Sequence, residues 1–511
     1  MILCSLVSHA QVNILTANGN NDRTNSNLQE TQLSPATVSA SAFGKLGAFP
    51  VDGQVYSQPL VVSGLSISGN GTHNAVFVST MHNSVYAFDA DAMSPVSLLW
   101  QVNLGPSVPA PLLFGQYGDI VFEVGILSTG VIDLQRGVIY VVADVLERGA
   151  PAFYLHALDL ATGAERLNGP VALTASVPGT GSGALADGTI PLNPMQHIQR
   201  PGLLLANDAV YVSFGSHEDQ YPYHGWMLSY DASDLSRQVG VYMSTPNGNG
   251  GAFWQSGRGP AADEQGNIYA LTGNGDFDGR QNFGESLVKM PAQGPVTLDW
   301  FTPSDWKSMA DNDLDLSAGP ALIAGTHTVI GADKEGNLYV INGDAMNQPG
   351  SAVIIPASTG YIFNFAVWSR DASANVYTQG ETEPVKCFQI AGNTANPNPV
   401  SIGVNPVPYG RIGMTISANG SQDDSGILWE STGDYNAGTP GTLHAYDASN
   451  LANELWNSDM NPGRDQMPQV TKFAAPTVAN GKVYVPSNSN VVTVYGLLPT
   501  PAGDAVITPL P

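Results

Sequence analysis

The 511-residue sequence contains only two cysteines, Cys4 and Cys387. That excludes a disulfide framework and Cys-based zinc sites, and without a Cys-x-x-Cys-His segment it also excludes covalently attached haem. Cations are scarce as well: 18 Lys and Arg stand against 43 Asp and Glu, a net charge of −25. A chain so acidic repels phosphate backbones and anionic bilayers, which rules out a nucleic-acid partner. Charged residues of both signs make up only 12% of the chain, where a helix-rich enzyme would carry many more Glu, Lys and Arg. No stretch approaches the ~18 uninterrupted apolar residues of a membrane span. Gly-x-Ser-x-Gly, a Walker loop and a dinucleotide fingerprint are all missing, so serine-hydrolase, kinase and nicotinamide chemistry have no support.

Glycine (56) and proline (36), together with Asn, Ser, Thr and Val, favour short strands joined by many turns. A hydrophobic content of 43% is enough for a large buried core. Residues 1–10 are apolar, with Ser8 and Ala10 placed like a signal-peptidase site before Gln11; they read as a truncated secretory signal and predict a secreted or periplasmic protein. Residues 11–42, rich in Asn, Ser and Thr, read as an irregular N-terminal arm, and residues 499–511 as a flexible tail.

Between them, residues 43–498 repeat. An apolar strand ending in Asp recurs as VYAFDADA (85–92), LHALDLATG (155–163), MLSYDASD (227–234), LYVINGDA (338–345) and LHAYDASN (443–450). The strand before it recurs as AVFVST (75–80), GVIYVV (137–142), AVYVSF (209–214), NIYALTG (267–273), NVYTQG (375–380) and KVYVPS (482–487). Trp100, Trp300 and Trp456 close outer strands. Eight units fit, and the last supplies only three strands, with AFGKLGAFPV near residues 42–51 available as its fourth. The expected fold is all-β: an eight-bladed β-propeller of four-stranded blades, closed by an N-terminal strand. Such a ring needs no partner to fold, and a monomer is expected.

The Asp159-Leu-Ala-Thr-Gly163 turn after an apolar third strand resembles the repeat of the pyrroloquinoline-quinone (PQQ) proteins, whose propellers include quinoprotein alcohol dehydrogenases and non-catalytic scaffolds. Residues 209–380 resemble the cofactor-holding blades of those dehydrogenases. The resemblance implies calcium ligation by Glu218 or Asp219 ahead of Tyr230-Asp231, a Trp254 ring under the quinone, and Asn274 of Thr-Gly-Asn as a second calcium ligand. It implies a general base, also close to the metal, within Asp311, Asp313 and Asp315, with Asp313 preferred. Lys334 in ADKEGNLYVIN would stabilise the reduced ring, and Asn364 in FNFAVW would contact the cofactor. The adjacent cysteine pair that roofs the quinone in the alcohol dehydrogenases is absent.

The chemistry is coherent. Calcium takes ~6–8 oxygen ligands, leaving positions for the cofactor's own oxygens. A carboxylate takes the alcohol proton and a cation offsets charge on the ring, while the cofactor carries the redox step. Each residue also has a plainer reading: Trp254 as a wedge between blades, Asn274 as a turn residue, DNDLD (311–315) as a solvated loop, Lys334 as a surface ion pair. His217-Glu-Asp-Gln-Tyr-Pro-Tyr-His224 is the densest polar and aromatic group, fit either for a transition metal or for lining the central mouth. Two functions therefore stand: a PQQ- and calcium-dependent dehydrogenase for a small alcohol or sugar, and a non-catalytic PQQ-repeat propeller binding a glycan or protein at its mouth. A propeller glycan lyase or hydrolase using Tyr223 and His224 rests on composition alone.

Overall fold

A computed structural model describes residues 11–499 apart from 114–117, 293, 371–372, 408, 410 and 412. The expected signal and all but the first residue of the expected tail lie outside the described residues. Eight antiparallel blades surround a central axis, with the connectivity inferred from the repeats. Each runs from an inner strand at the axis to an outer strand at the rim. Blade one comprises Leu60–Ile67, Gly71–Ser79, Ser84–Met93 and Val96–Asn103, and blades two to seven repeat that order through Glu454–Asn457. Blade eight takes Thr477–Ala479, Lys482–Val485 and Val491–Leu497 from the C-terminal end, and Phe43–Pro50 pairs with the last of these as its outer strand. The ring is thus closed by backbone hydrogen bonds between the two ends of the chain. The described helices are a six-residue turn, Trp306–Asp311, and a four-residue one, Pro462–Asp465.

Strand alternation sends successive side chains to opposite faces of a blade, so each blade is apolar on both faces and meets a neighbour on each. Val138, Tyr140 and Val142 point toward blade three, whereas Ile139, Val141 and Ala143 pack toward blade one. Trp100 and the glycine of the next blade's turn have a joint cause. Trp100 of blade one donates its indole N–H to Leu160 O (2.8 Å) in the Asp159–Gly163 turn of blade two, and its ring covers Gly163. A Cβ there would lie 2.7 Å from the ring, and φ is +70°, so only glycine fits.

The arm, irregular in backbone, is largely buried. It crosses the axis and bonds to the inner strand of every blade in turn. Backbone pairs join Ile14 to Val61 and Leu15 O to the Ile132 N–H, and Asn21 Nδ2 reaches Leu205 O. Further N–H groups of Ala262, Leu322, Val367 and Ile416 donate to the carbonyls of Asn21, Asp22, Thr24 and Asn25, and Asn27 Nδ2 reaches Val478 O. At its centre Arg23 is fully buried. It donates to Pro260 O (2.7 Å), Thr16 Oγ1 (2.7 Å), Ala17 O (2.7 Å) and Leu203 O (2.9 Å). Arg258, also fully buried, reaches across to Arg23 O, Phe365 O (2.9 Å) and Asn364 Oδ1 (3.1 Å). Burial lowers both guanidinium pKa values to about 9, so their carbonyl partners matter to keeping them charged.

Arg23→Ala would leave the Ala17 and Pro260 carbonyls buried without a donor, and Leu203 O with only a long bond from the Thr16 hydroxyl (3.4 Å). At about 1–3 kcal/mol per orphaned group, the loss is at least about 2 kcal/mol, read by urea denaturation. Arg148→Ala at an exposed site should change stability by less than about 0.5 kcal/mol.

Candidate functional site

The loops leading into the inner strands, and the hairpins between second and third strands, open on one face of the ring. There they line a central cavity of about 410 Å³. The arm crosses the same inner strands a few residues further along, so the cavity has a floor. Two hydroxyls tie that floor together: Ser256 Oγ donates to Ser317 O (2.7 Å) and Ser317 Oγ to Ile362 O (2.5 Å).

Five residues anticipated from the sequence, Glu218, Asp219, Trp254, Asp313 and Lys334, line this cavity. Glu218 and Asp219 come from the second-to-third-strand hairpin of blade three, Trp254 from the lead-in to blade four, Asp313 from that to blade five, and Lys334 from the blade-five hairpin. Asn274 stands just behind, donating its Nδ2 to Asp313 Oδ1 (2.9 Å) while its buried Oδ1 has no partner. Asn364 is the exception. Its amide oxygen accepts from Arg258 and from Asn25 Nδ2 (3.1 Å) beneath the floor, so it secures the plug and does not line the cavity. A residue just inside an inner strand points to whichever layer the pleat dictates, and the sequence does not reveal how deep the arm sits.

Lys334 organises one half of the cavity. Its Nζ lies 2.5 Å from Asp313 Oδ1 and 2.5 Å from Asp315 Oδ1. Asp313 is 64% exposed and Asp315 only 3%, so the second pair is the one shielded from water. Burial works against charge on Lys334, but the two carboxylates hold its pKa well above the ordinary value. Burial also works to raise Asp313, yet Lys334 outweighs it and the carboxyl stays below its usual value. At Asp315 burial wins: reinforced by Asp313 and opposed by Lys334, it lifts the carboxyl to about 6. Behind it, Glu285 accepts from the Leu316 N–H (3.1 Å), and burial followed by the charge of Asp315 pushes it well above its normal range. Asp311, the third member of the acidic run, pairs instead with Lys307 outside the cavity.

The calcium set expected from the sequence is only partly assembled. Glu218 Oε1 accepts from the Gly118 N–H (2.9 Å), Asp219 Oδ1 from the Ser216 hydroxyl (3.1 Å), and the Lys334 ammonium stands between Asp313 and Asp315. Among the described residues, no group of three or more His, Cys, Asp and Glu side chains could hold a metal. Of the expected calcium ligands, Asn274 alone keeps a buried oxygen without a partner, the kind of donor a hard cation takes. The histidines of the 217–224 loop do not line the mouth. His224 is buried between Thr245 Oγ1 (2.8 Å) and Ser182 O (2.8 Å), His217 is buried near His197, and burial lowers His217 to about 3.

The opposite half of the cavity is cationic and aromatic. Arg411 and Lys472 line it with Tyr361, Phe363, Tyr435 and Phe473, and Asp119 is the only carboxylate among them. Asp119 pairs with Arg200 (2.5 Å) and with Lys472, whose Nζ also reaches Asp119 O (2.6 Å). The Arg200 guanidinium lies 5.0 Å from the centre of the Trp254 ring and 5.2 Å from that of Phe473. Burial opposes charge on Asp119, but Arg200 and Lys472 prevail and hold its pKa far down. Lys472 nevertheless falls to about 8, because burial outweighs the fraction of one carboxylate that it shares with two arginines. The cations here outnumber the anions, and the buried Nε atoms of Arg200 and Arg411 have no hydrogen-bond partner. None of these residues was singled out from the sequence. For Arg200, Tyr361, Phe363, Arg411, Lys472 and Phe473 a position shortly before an inner strand was the available signal, whereas Tyr435 lies in the blade-seven hairpin and Asp119 in the long lead-in to blade two.

The Asp313 shift stabilises the fold above the ordinary carboxylate range and is lost as pH falls through its lowered value; the Lys334 shift acts below the ordinary lysine range and is lost at alkaline pH. Lys334→Met should therefore lower the melting temperature most at pH 6–8 and little near pH 3. Lys334→Met with Asp313→Asn should recover part of the loss, as thermal melts across pH will show. No family model matches this sequence, and no curated protein matches it. Among solved structures, the fold is similar to a quinohemoprotein alcohol dehydrogenase of Pseudomonas putida, with TM-score 0.59 and 15% identity over 96% of this chain and 82% of that one. It is also similar to Sqt1 of Saccharomyces cerevisiae, with TM-score 0.52 and 10% identity over 90% and 100% of the two chains. BamB of Moraxella catarrhalis aligns with TM-score 0.49 and 14% identity over 89% and 99%. At such identities the likeness is one of fold: this chain is an eight-bladed β-propeller of the architecture that the alcohol dehydrogenase also uses.

Proposed function

We propose that the central cavity binds a planar, polyanionic quinone of the PQQ type and that the protein oxidises a small alcohol or sugar there. The observation that carries this reading is the division of one cavity into a cationic, aromatic half and a Lys-bridged acidic half. Bound quinone would supply the two-electron acceptor. The residues of this chain would do the rest. Arg411, Lys472 and Arg200 offset the charge of ring carboxylates in a protein that otherwise repels anions. Trp254 offers ring area for stacking. Asp315, lifted to about 6, is poised to take a hydroxyl proton at its carboxylate near neutral pH, and Lys334 steadies the charge that forms. A calcium ion would have to compete with Lys334 for Asp313, so no step is assigned to it.

A second reading, a non-catalytic propeller binding a glycan or protein at its mouth, is favoured by the same ion pairs, since Lys334 already neutralises the acids that a metal would need.

The purified protein titrated with PQQ, with and without calcium, should show saturable absorbance changes and a raised melting temperature. Trp254→Ala should weaken binding about tenfold, worth ~1.4 kcal/mol of stacking. Calcium-enhanced binding lost in Asn274→Ala would add the metal at the Asn274–Asp313 position. No binding, with melting unchanged at saturating PQQ, would sink the quinone reading in favour of the second.

A further inference from the structure

Beside the central cavity, and separated from it by single residues along three loops, lies a second hollow of about 360 Å³. Asp219 faces the cavity and Tyr221 the hollow; Asn274 stands behind the cavity wall and Asp276 lines the hollow; Asp313 belongs to one and Asp311 to the other. The helical turn Trp306–Asp311 forms one wall, presenting Trp306, Lys307, Ala310 and Asp311 together. Tyr221 is 57% exposed, with its ring 4.7 Å from the buried Tyr223, so it is supported from behind. Trp306 is fixed edge-on against Phe277 at 5.8 Å. Two aromatic rings at a solvent-open hollow are costly to leave wet unless something covers them.

The polar groups say what. Asp276 Oδ2 is held by the Asn249 backbone N–H (3.0 Å) and side-chain amide (3.2 Å), which fixes the carboxylate at the rim. Asp311 is held by Lys307 four residues earlier in the helical turn. On the far side, the Ser182 hydroxyl is buried without a partner, while its carbonyl anchors His224. Fixed carboxylates and amides around one exposed and one half-buried ring match a molecule with a C–H face and a rim of hydroxyls, each both donor and acceptor. An anion would meet two carboxylates and one lysine that is already paired. A cation would be drawn to Asp276 and opposed by Lys307, and choline tests that case.

We propose that this hollow is a saccharide-binding site, in which a neutral pyranose stacks on Tyr221 and Trp306 and hydrogen-bonds to Asp276, Asn249 and Asp311. Its binding is independent of any quinone. Only its service as a substrate-docking subsite, which narrows the substrate to a sugar, rests on the function proposed above.

The full chain, without quinone, is titrated calorimetrically with cellobiose, maltose, xylobiose and diacetylchitobiose, and applied to an array of neutral glycans. At least one saccharide should bind in the micromolar to millimolar range. Tyr221→Ala and Trp306→Ala should each weaken it at least tenfold, Tyr221→Phe should retain it, and Trp254→Ala in the central cavity should leave it unchanged. Melting temperatures of the variants check that they fold. Absence of binding to every glycan, binding of choline in their place, or a sugar signal lost in Trp254→Ala but kept in Trp306→Ala would each overturn the proposal. PQQ binding, measured separately, succeeds or fails on its own.

Discussion

The arm at residues 14–27 is the constraint on which the molecule turns. A propeller ring leaves the inner strand of each blade with backbone groups facing the axis, and these need partners wherever water is excluded. Here one irregular segment meets all eight blades, and the buried guanidinium of Arg23 gathers carbonyls that no backbone donor reaches. The arrangement costs the desolvation of two arginines, offset by the oxygens that all but the Arg258 Nε–H find. It also converts a channel into a cup. With Asn364 and Arg258 bound into the plug, anything that enters the open face meets a floor.

Charge is spent sparingly in this chain and concentrated where it acts. Lys334, Arg411 and Lys472 line one cavity and Arg200 backs it, in a protein with 18 basic residues in all. The cavity is polarised. One acid, Asp119, restrains a group of cations, and one cation, Lys334, restrains two acids. Low local dielectric makes such unequal groupings persistent sources of field. The acidic half retains a carboxyl, Asp315, whose affinity for a proton is set near neutrality by burial and neighbours. The cationic half retains guanidinium nitrogens with nothing to donate to. Both leave the network around this cavity internally incomplete, and the function proposed above draws on them.

Much of this was legible from residue order. The Asp-terminated third strands, the outer Trp and the three-stranded last unit sufficed for eight blades and the closing strand at Phe43–Pro50, because strand period and turn glycine are local properties. Trp254, Asp313 and Lys334 could be placed because they sit in ordered motifs within their own blades. Asp119, Arg200, Arg411 and Lys472 escaped notice because each lies alone in its loop, without a motif. Asn364 and His224 were misplaced for the opposite reason: their neighbourhoods looked functional, but the pleat and loop packing turned both side chains into the protein.

The sequence by itself therefore determined the architecture: the number of blades, their strand order and the closing strand from the N-terminal end. All follow from spacing and composition, which act over a few residues. Tertiary structure alone decided that residues 14–27 cross the axis, that a lysine stands between Asp313 and Asp315, and that cations from blades separated by hundreds of residues meet at one wall. Those outcomes depend on the closure of the ring, which brings distant loops within an ångström-scale distance that no local pattern encodes.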